Sequence, residues 1–150
     1  MLPPNAALPR VIKGYRDLVV WQRAMDLVTE TYRLTASFPR DEKYGLVQQL
    51  KRAAVSVPSN VAEGHGRDHL GDYLHHLSVA NGSLMELETQ LMIAGRLGYL
   101  SRESQERFLS RAAEVGRLLS GLARALRKRR NTNLTPGTRH PTPHAPRAFS

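Results

Sequence analysis

Cysteine is absent from this 150-residue chain, which excludes a disulfide framework, a thiolate nucleophile and a zinc site built on thiolates. Long apolar runs are missing as well. The longest, such as Leu18-Val19-Val20-Trp21, hold only four residues, against the roughly 20 needed to cross a bilayer. Residues 1–14 carry three prolines and no apolar stretch of the kind a secretory signal needs, so the expected location is cytoplasmic. Gly64 and Gly66 stand too close together for a nucleotide-binding glycine fingerprint.

Acidic side chains are also scarce, 13 Asp and Glu against 22 Lys and Arg, for a net charge of +9. The scarcity is local. Residues 1–100 hold 11 basic and 10 acidic side chains, whereas residues 101–150 hold 11 basic and 3 acidic. An excess concentrated in the last third points to a polyanionic partner or a solubilising tail.

What the chain does contain is helical periodicity. Residues 1–14 read as a disordered leader and 131–150 as a disordered, Pro-rich basic tail, leaving 15–130 as one domain large enough for a core. A first helix is expected over 17–37, N-capped by Asp17, with Trp21, Met25, Val28 and Tyr32 as its stripe. A second is expected over 41–63, with Leu46, Leu50, Ala53, Ala54, Val57 and Val61 on one face. Pro58 lies inside it and predicts a kink, because proline removes the bond to the Ala54 carbonyl; two helices meeting at Pro58 is the competing reading.

A third helix over 68–97 carries Leu70, Tyr73, Leu77, Ala80, Leu84, Leu87, Leu91 and Ala94, with Gly98 closing it in the left-handed conformation. A fourth over 101–130, capped by Ser101, carries Phe108, Ala112, Val115, Leu119, Leu122 and Leu126. Short connections force neighbouring helices to run antiparallel, so the expected fold is all-α, an up-down-up-down four-helix bundle with long helices. Apolar residues off the seams, Val79, Met85, Met92 and Ile93 in the third helix and Val19, Val20, Leu27 and Leu34 in the first, point to burial against another subunit.

The sharpest candidate for function is the basic end of the fourth helix, Arg124, Arg127, Lys128, Arg129 and Arg130, preceded by Arg107, Arg111 and Arg117. Such a cluster binds nucleic acid electrostatically, through counterion release and without sequence preference. Capping of the helix dipole and solubility are the bland alternatives, but they do not require five cations in seven positions. Asn60, Glu63 and Glu88 fall beside apolar stripes. They are expected to be structural, bonding to backbone freed by Pro58 or bridging to the third helix, since neither glutamate has the Glu-x-x-His spacing of a di-iron bundle. His65, His69, Asp72 and His76 would make a metal site, or with Glu63 a metalloenzyme centre, only if the third helix reached back through Gly66. No cofactor, metal or catalytic residue is therefore expected.

Several strings taken together are distinctive. They are Tyr15-Arg16-Asp17-Leu18-Val19-Val20-Trp21-Gln22, then Phe38-Pro39 with Glu42-Lys43-Tyr44-Gly45-Leu46. There follow Arg52-Ala53-Ala54-Val55-Ser56-Val57-Pro58-Ser59-Asn60-Val61-Ala62-Glu63-Gly64 and Gly82-Ser83-Leu84-Met85-Glu86-Leu87-Glu88-Thr89-Gln90-Leu91. The chain resembles the four-helix-bundle proteins encoded in intervening sequences of bacterial large-subunit ribosomal RNA genes. That family in turn resembles the accessory variability determinant of diversity-generating retroelements. The resemblance covers residues 15–100 densely and the fourth helix in pattern only. It implies a homo-oligomer, a pentamer, without catalysis, whose partners are RNA or DNA and a protein such as a reverse transcriptase. The stretch Arg67-Asp68-His69-Leu70-Gly71-Asp72 is nearly neutral here, whereas many relatives are basic at that place. An interaction scaffold for an acidic partner is the alternative to nucleic-acid binding.

Overall fold

The computed structural model describes residues 11–133. The expected leader up to residue 10 and the expected tail from residue 134 lie outside the described residues. Four helices account for most of the rest: α1 (Val19–Thr35), α2 (Leu46–His65), α3 (Leu70–Arg96) and α4 (Arg102–Asn133). Short 3-10 turns at Tyr15–Asp17 and Arg40–Glu42 precede α1 and α2, and no strand occurs among the described residues. Each helix packs on its neighbours in sequence and α4 closes back on α1, a four-helix bundle. Along α2 the rising series Ser56, Asn60, His65 meets the falling series Ser83, His76, Tyr73 of α3.

Local chemistry sets the ends of these helices. Ser101 accepts the Ser104 N–H at 3.1 Å and so caps α4 as its position suggests. Gly98 adopts φ +76°, and the Tyr99 and Gly98 N–H groups bond back to the Ala94 and Gly95 carbonyls, a Schellman ending for α3. Asp17 does not cap α1. It accepts the Lys13 N–H at 2.8 Å within the preceding turn, and Leu18 takes the cap position with no side-chain bond. The α2 helix starts later than 41 because Gly45 (φ −106°, ψ −112°) leaves helical conformation; Glu42 reaches across to accept the Leu46 N–H at 3.0 Å. It is one helix through Pro58, not two. The α4 helix continues three residues past 130, to Asn133.

The core confirms the seams of α2, α3 and α4, with Leu46, Leu70 and Leu122 half-buried against it, and corrects that of α1. Leu50, Val57, Val61, Leu84, Leu87, Leu91, Phe108 and Val115 are all at most 2% exposed. In α1 the buried stripe is Val20, Ala24, Leu27, Thr31 and Thr35, one position away from the expected Trp21, Met25, Val28 and Tyr32. Both stripes have helical spacing. The one with smaller side chains lies inward, and its two threonines satisfy their hydroxyls on the Leu27 and Thr31 carbonyls, each at 2.8 Å. Trp21 and Val28 stay half-buried, while Met25 and Tyr32 are exposed. Val20 and Leu27, expected as surplus, therefore belong to the core; Val19, Val79, Met85, Met92 and Ile93 are exposed as expected.

At Gly64 the α2–α3 contact leaves no room for a side chain. A Cβ placed on Gly64 would stand 2.7 Å from the His76 Cβ and 2.9 Å from the Tyr73 ring. Gly82, in the exposed middle of α3, has nothing within 4 Å. Gly64→Ala is accordingly expected to lower stability by about 1–3 kcal/mol through overpacking. Gly82→Ala should raise it by up to about 1 kcal/mol through helix propensity alone. Urea unfolding of the two variants decides this, and equal effects would refute a close helix approach at Gly64.

Candidate nucleic-acid interface on the fourth helix

After Glu114 the sequence contains no acidic residue, yet six cations follow on α4 before Asn131: Arg117, Arg124, Arg127, Lys128, Arg129 and Arg130. All six are exposed, and among the described residues none of them has a salt-bridge partner. At 1.5 Å per residue they span about 20 Å of helix. No carboxylate among the described residues pairs with them, so the local field stays positive and is open to mobile counterions.

The cations earlier in α4 are differently employed. Arg107 pairs with Glu103 one turn back at 3.4 Å. Arg111, expected to be part of the nucleic-acid surface, is tied to Glu30 of α1, a carboxylate only 4% exposed. Beside it Arg23 is shared between Asp26 at 3.5 Å and Glu114 at 3.3 Å. Arg111–Glu30 and Arg23–Glu114 join α1 to α4, and Arg111 compensates a charge inside the bundle. A weak sign of this is the place of Arg111 directly before the buried Ala112 of the seam.

Arg117, Arg124 and Arg127 stand along an open groove of about 870 Å³ between α3 and α4. Leu77, Leu84 and Leu119 form its apolar floor, and Glu88 lies on the α3 side. Burial raises the Glu88 carboxyl above the ordinary carboxylate range. The groove draws its lining from two helices separated in sequence, which periodicity within either one does not reveal.

The other expected polar residues separate. Asn60 donates to the Ser56 carbonyl at 2.8 Å and accepts from His76 Nδ1 at 3.1 Å, so it bridges α2 to α3 and does not serve the Ala54 carbonyl. Ser56 and Ser83 share a bond of 2.7 Å across the same seam. Glu63 is exposed and pairs with Arg67 at 2.7 Å, making no bridge to α3. His65 bonds the Tyr73 hydroxyl at 3.2 Å, while His69 is exposed at the start of α3. No helix runs through Gly66 to bring these histidines onto one face, and no three metal-ligating side chains converge among the described residues. Nor is any described helix long and apolar enough to cross a membrane.

Residues 16–121, all of α1 to α3 and most of α4, match the family model of the 23S rRNA-intervening sequence protein. The chain belongs to that family. A structural neighbour is a crystal structure from the S23 ribosomal protein family of Bacteroides thetaiotaomicron, described as a protein of unknown function. The two are 20% identical with a TM-score of 0.66, over 71% of this chain and 96% of the other. That likeness speaks for the fold alone. None of the curated proteins matches the chain. Arg124, Arg127, Lys128, Arg129 and Arg130 all lie beyond the matched stretch.

Two expectations follow from the charges just described. Arg111→Ala leaves the Glu30 carboxylate buried without its partner and should cost at least about 1–3 kcal/mol, read as a lower urea midpoint with unchanged m value. An unchanged midpoint would show that the pair is idle. For Glu88 the raised pKa means that folding penalises its charged form. Above the carboxylate range Glu88→Gln should therefore raise the melting temperature, and below it, where both states are protonated, the gain should vanish. Melting curves at pH 7 and pH 3 test the sign.

Proposed function

We propose that this protein is a non-enzymatic, cytoplasmic homo-oligomer that binds nucleic acid or a ribonucleoprotein electrostatically through the basic end of α4. The observation that carries the proposal is the run of six exposed cations on α4, Arg117 to Arg130, without an ion-pair partner among the described residues. The acid-free sequence beyond Glu114 supports it. Exposed Val19, Met25, Val79, Met92 and Ile93 support self-association, because apolar surface on bundle helices favours burial against a second copy. The resemblance to the accessory variability determinant of diversity-generating retroelements is the ground for a pentamer. In such a ring the basic end repeats, and weak contacts add by multivalency. Base-specific readout is not part of the proposal, since no aromatic side chain lines the α3–α4 groove.

A second reading makes the oligomer an accessory subunit for a protein such as a reverse transcriptase. The apolar floor of the α3–α4 groove favours it, because phosphate binding has no use for such a floor.

Light scattering with a generic single-stranded RNA, at a series of salt concentrations, tests the first reading. The expected results are a multimeric mass and an affinity whose logarithm falls by about 0.7 per decade of salt for each phosphate neutralised. Replacing Lys128, Arg129 and Arg130 by alanine should flatten that slope by up to about 2 with helical content intact. A monomer that ignores RNA at low salt would refute the proposal.

A further inference from the structure

The groove between α3 and α4 has a construction that nucleic-acid binding leaves unexplained. Its α4 wall presents Ala113, Gly116, Ser120 and Ala123 at spacings of three, four and three, so small residues keep it concave where large ones would close it. On α3, Asn81, Met85 and Glu88 follow at spacings of four and three. Two rows with this spacing, lying either side of a leucine floor, form the kind of slot into which a further helix inserts its ridge of side chains. The slot is about 15 Å long, judged from the ten residues between Arg117 and Arg127.

Charge identifies the occupant. Arg117, Arg124 and Arg127 stand at the α4 edge without ion-pair partners among the described residues, seven and then three residues apart. A helix lying along them would meet them with carboxylates at the same spacing. Glu88 on the opposite wall repels phosphate and calls for a hydrogen-bond donor or a cation. Leu77, Leu84, Met85 and Leu119 call for aliphatic side chains between these two edges.

We infer that the α3–α4 groove is a docking slot for an amphipathic helix of a partner protein, with acids along the edge facing α4 and a donor facing Glu88. A second copy of this chain does not supply that pattern among its described helices. The carboxylates Asp26, Glu30, Glu63, Glu103, Glu106 and Glu114 are already paired within the chain, and Asp72, Glu86 and Glu88, on α3, have no acid three, seven or ten residues away. The inference deepens the accessory-subunit reading, rests on it for the choice of a protein partner, and does not require the cations beyond Arg127.

A displayed library of helical peptides of about 14 residues, randomised at every position, tests this against the full-length protein. The expected selection enriches aspartate and glutamate at spacings of seven and three, with leucine or a similar residue between them. Binding of the selected peptides should fall at least about tenfold in Ser120→Trp, which fills the middle of the slot from an exposed position. It should fall likewise in the Arg117→Glu, Arg124→Glu double variant, with circular dichroism showing both variants folded. Selected peptides without acid enrichment, or equal binding to Ser120→Trp, would overturn the inference. Parallel RNA titrations keep the two readings apart. If Ser120→Trp abolishes RNA binding and no acid-patterned peptide is selected, the slot belongs to nucleic acid and the inference falls while the electrostatic reading stands. If acid-patterned peptides bind the slot and RNA binds nowhere, the inference stands and the electrostatic reading falls.

Discussion

The absence of a side chain at position 64 governs how near α2 can come to α3, and that approach organises the rest of the bundle. With the Gly64 backbone against Tyr73 and His76, the Ser56–Ser83 and Asn60–His76 bonds come within reach. Each is partly buried, and each satisfies polar groups that would otherwise be costly between packed helices. Directional bonds at two levels of one seam fix its register, and the leucines of α3 then meet the apolar faces on either side. The block from Ser56 to Gly64 is thus one device: Ser56 and Asn60 reach α3, Val57 and Val61 fill the core, and Gly64 permits contact.

Much of this was legible because the required chemistry repeats at helical spacing. The α3 seam alternates threes and fours from Leu70 to Ala94, so only one face can be buried, and Gly98 and Ser101 mark its end and the next start unambiguously. α1 was read one position out because two stripes compete there. Their spacing is identical and cannot choose between them, and the packed face is the one whose threonines bond their own helix. The site was legible only in part, for a related reason. A run of arginines is visible in sequence, but whether each is paired depends on what the next helix brings. Arg111 finds Glu30, 81 residues away, while Arg117 to Arg130 find no such partner among the described residues.

The division of charge along α4 separates two physical tasks. Its first half exchanges charge with its own preceding turn and with α1, and the pairs to α1 join the two helices across the bundle. Its second half has cations but no acids, so its charge acts outward. The family match ends at residue 121, close to the same divide, and membership in the 23S rRNA-intervening sequence protein family accordingly describes the closed half better than the outward one.

The slim inner face of α1 carries a further consequence. Leu27 and Val20 are its only aliphatic side chains larger than alanine that are fully withdrawn from solvent, whereas α3 buries Leu77, Leu84, Leu87 and Leu91 together. A buried leucine is worth about 1.5–3 kcal/mol relative to an exposed one, so the bundle is anchored unevenly. Its native ensemble is expected to breathe at α1 first, with α2 and α3 remaining as the persistent folding unit, an order that amide exchange reads helix by helix.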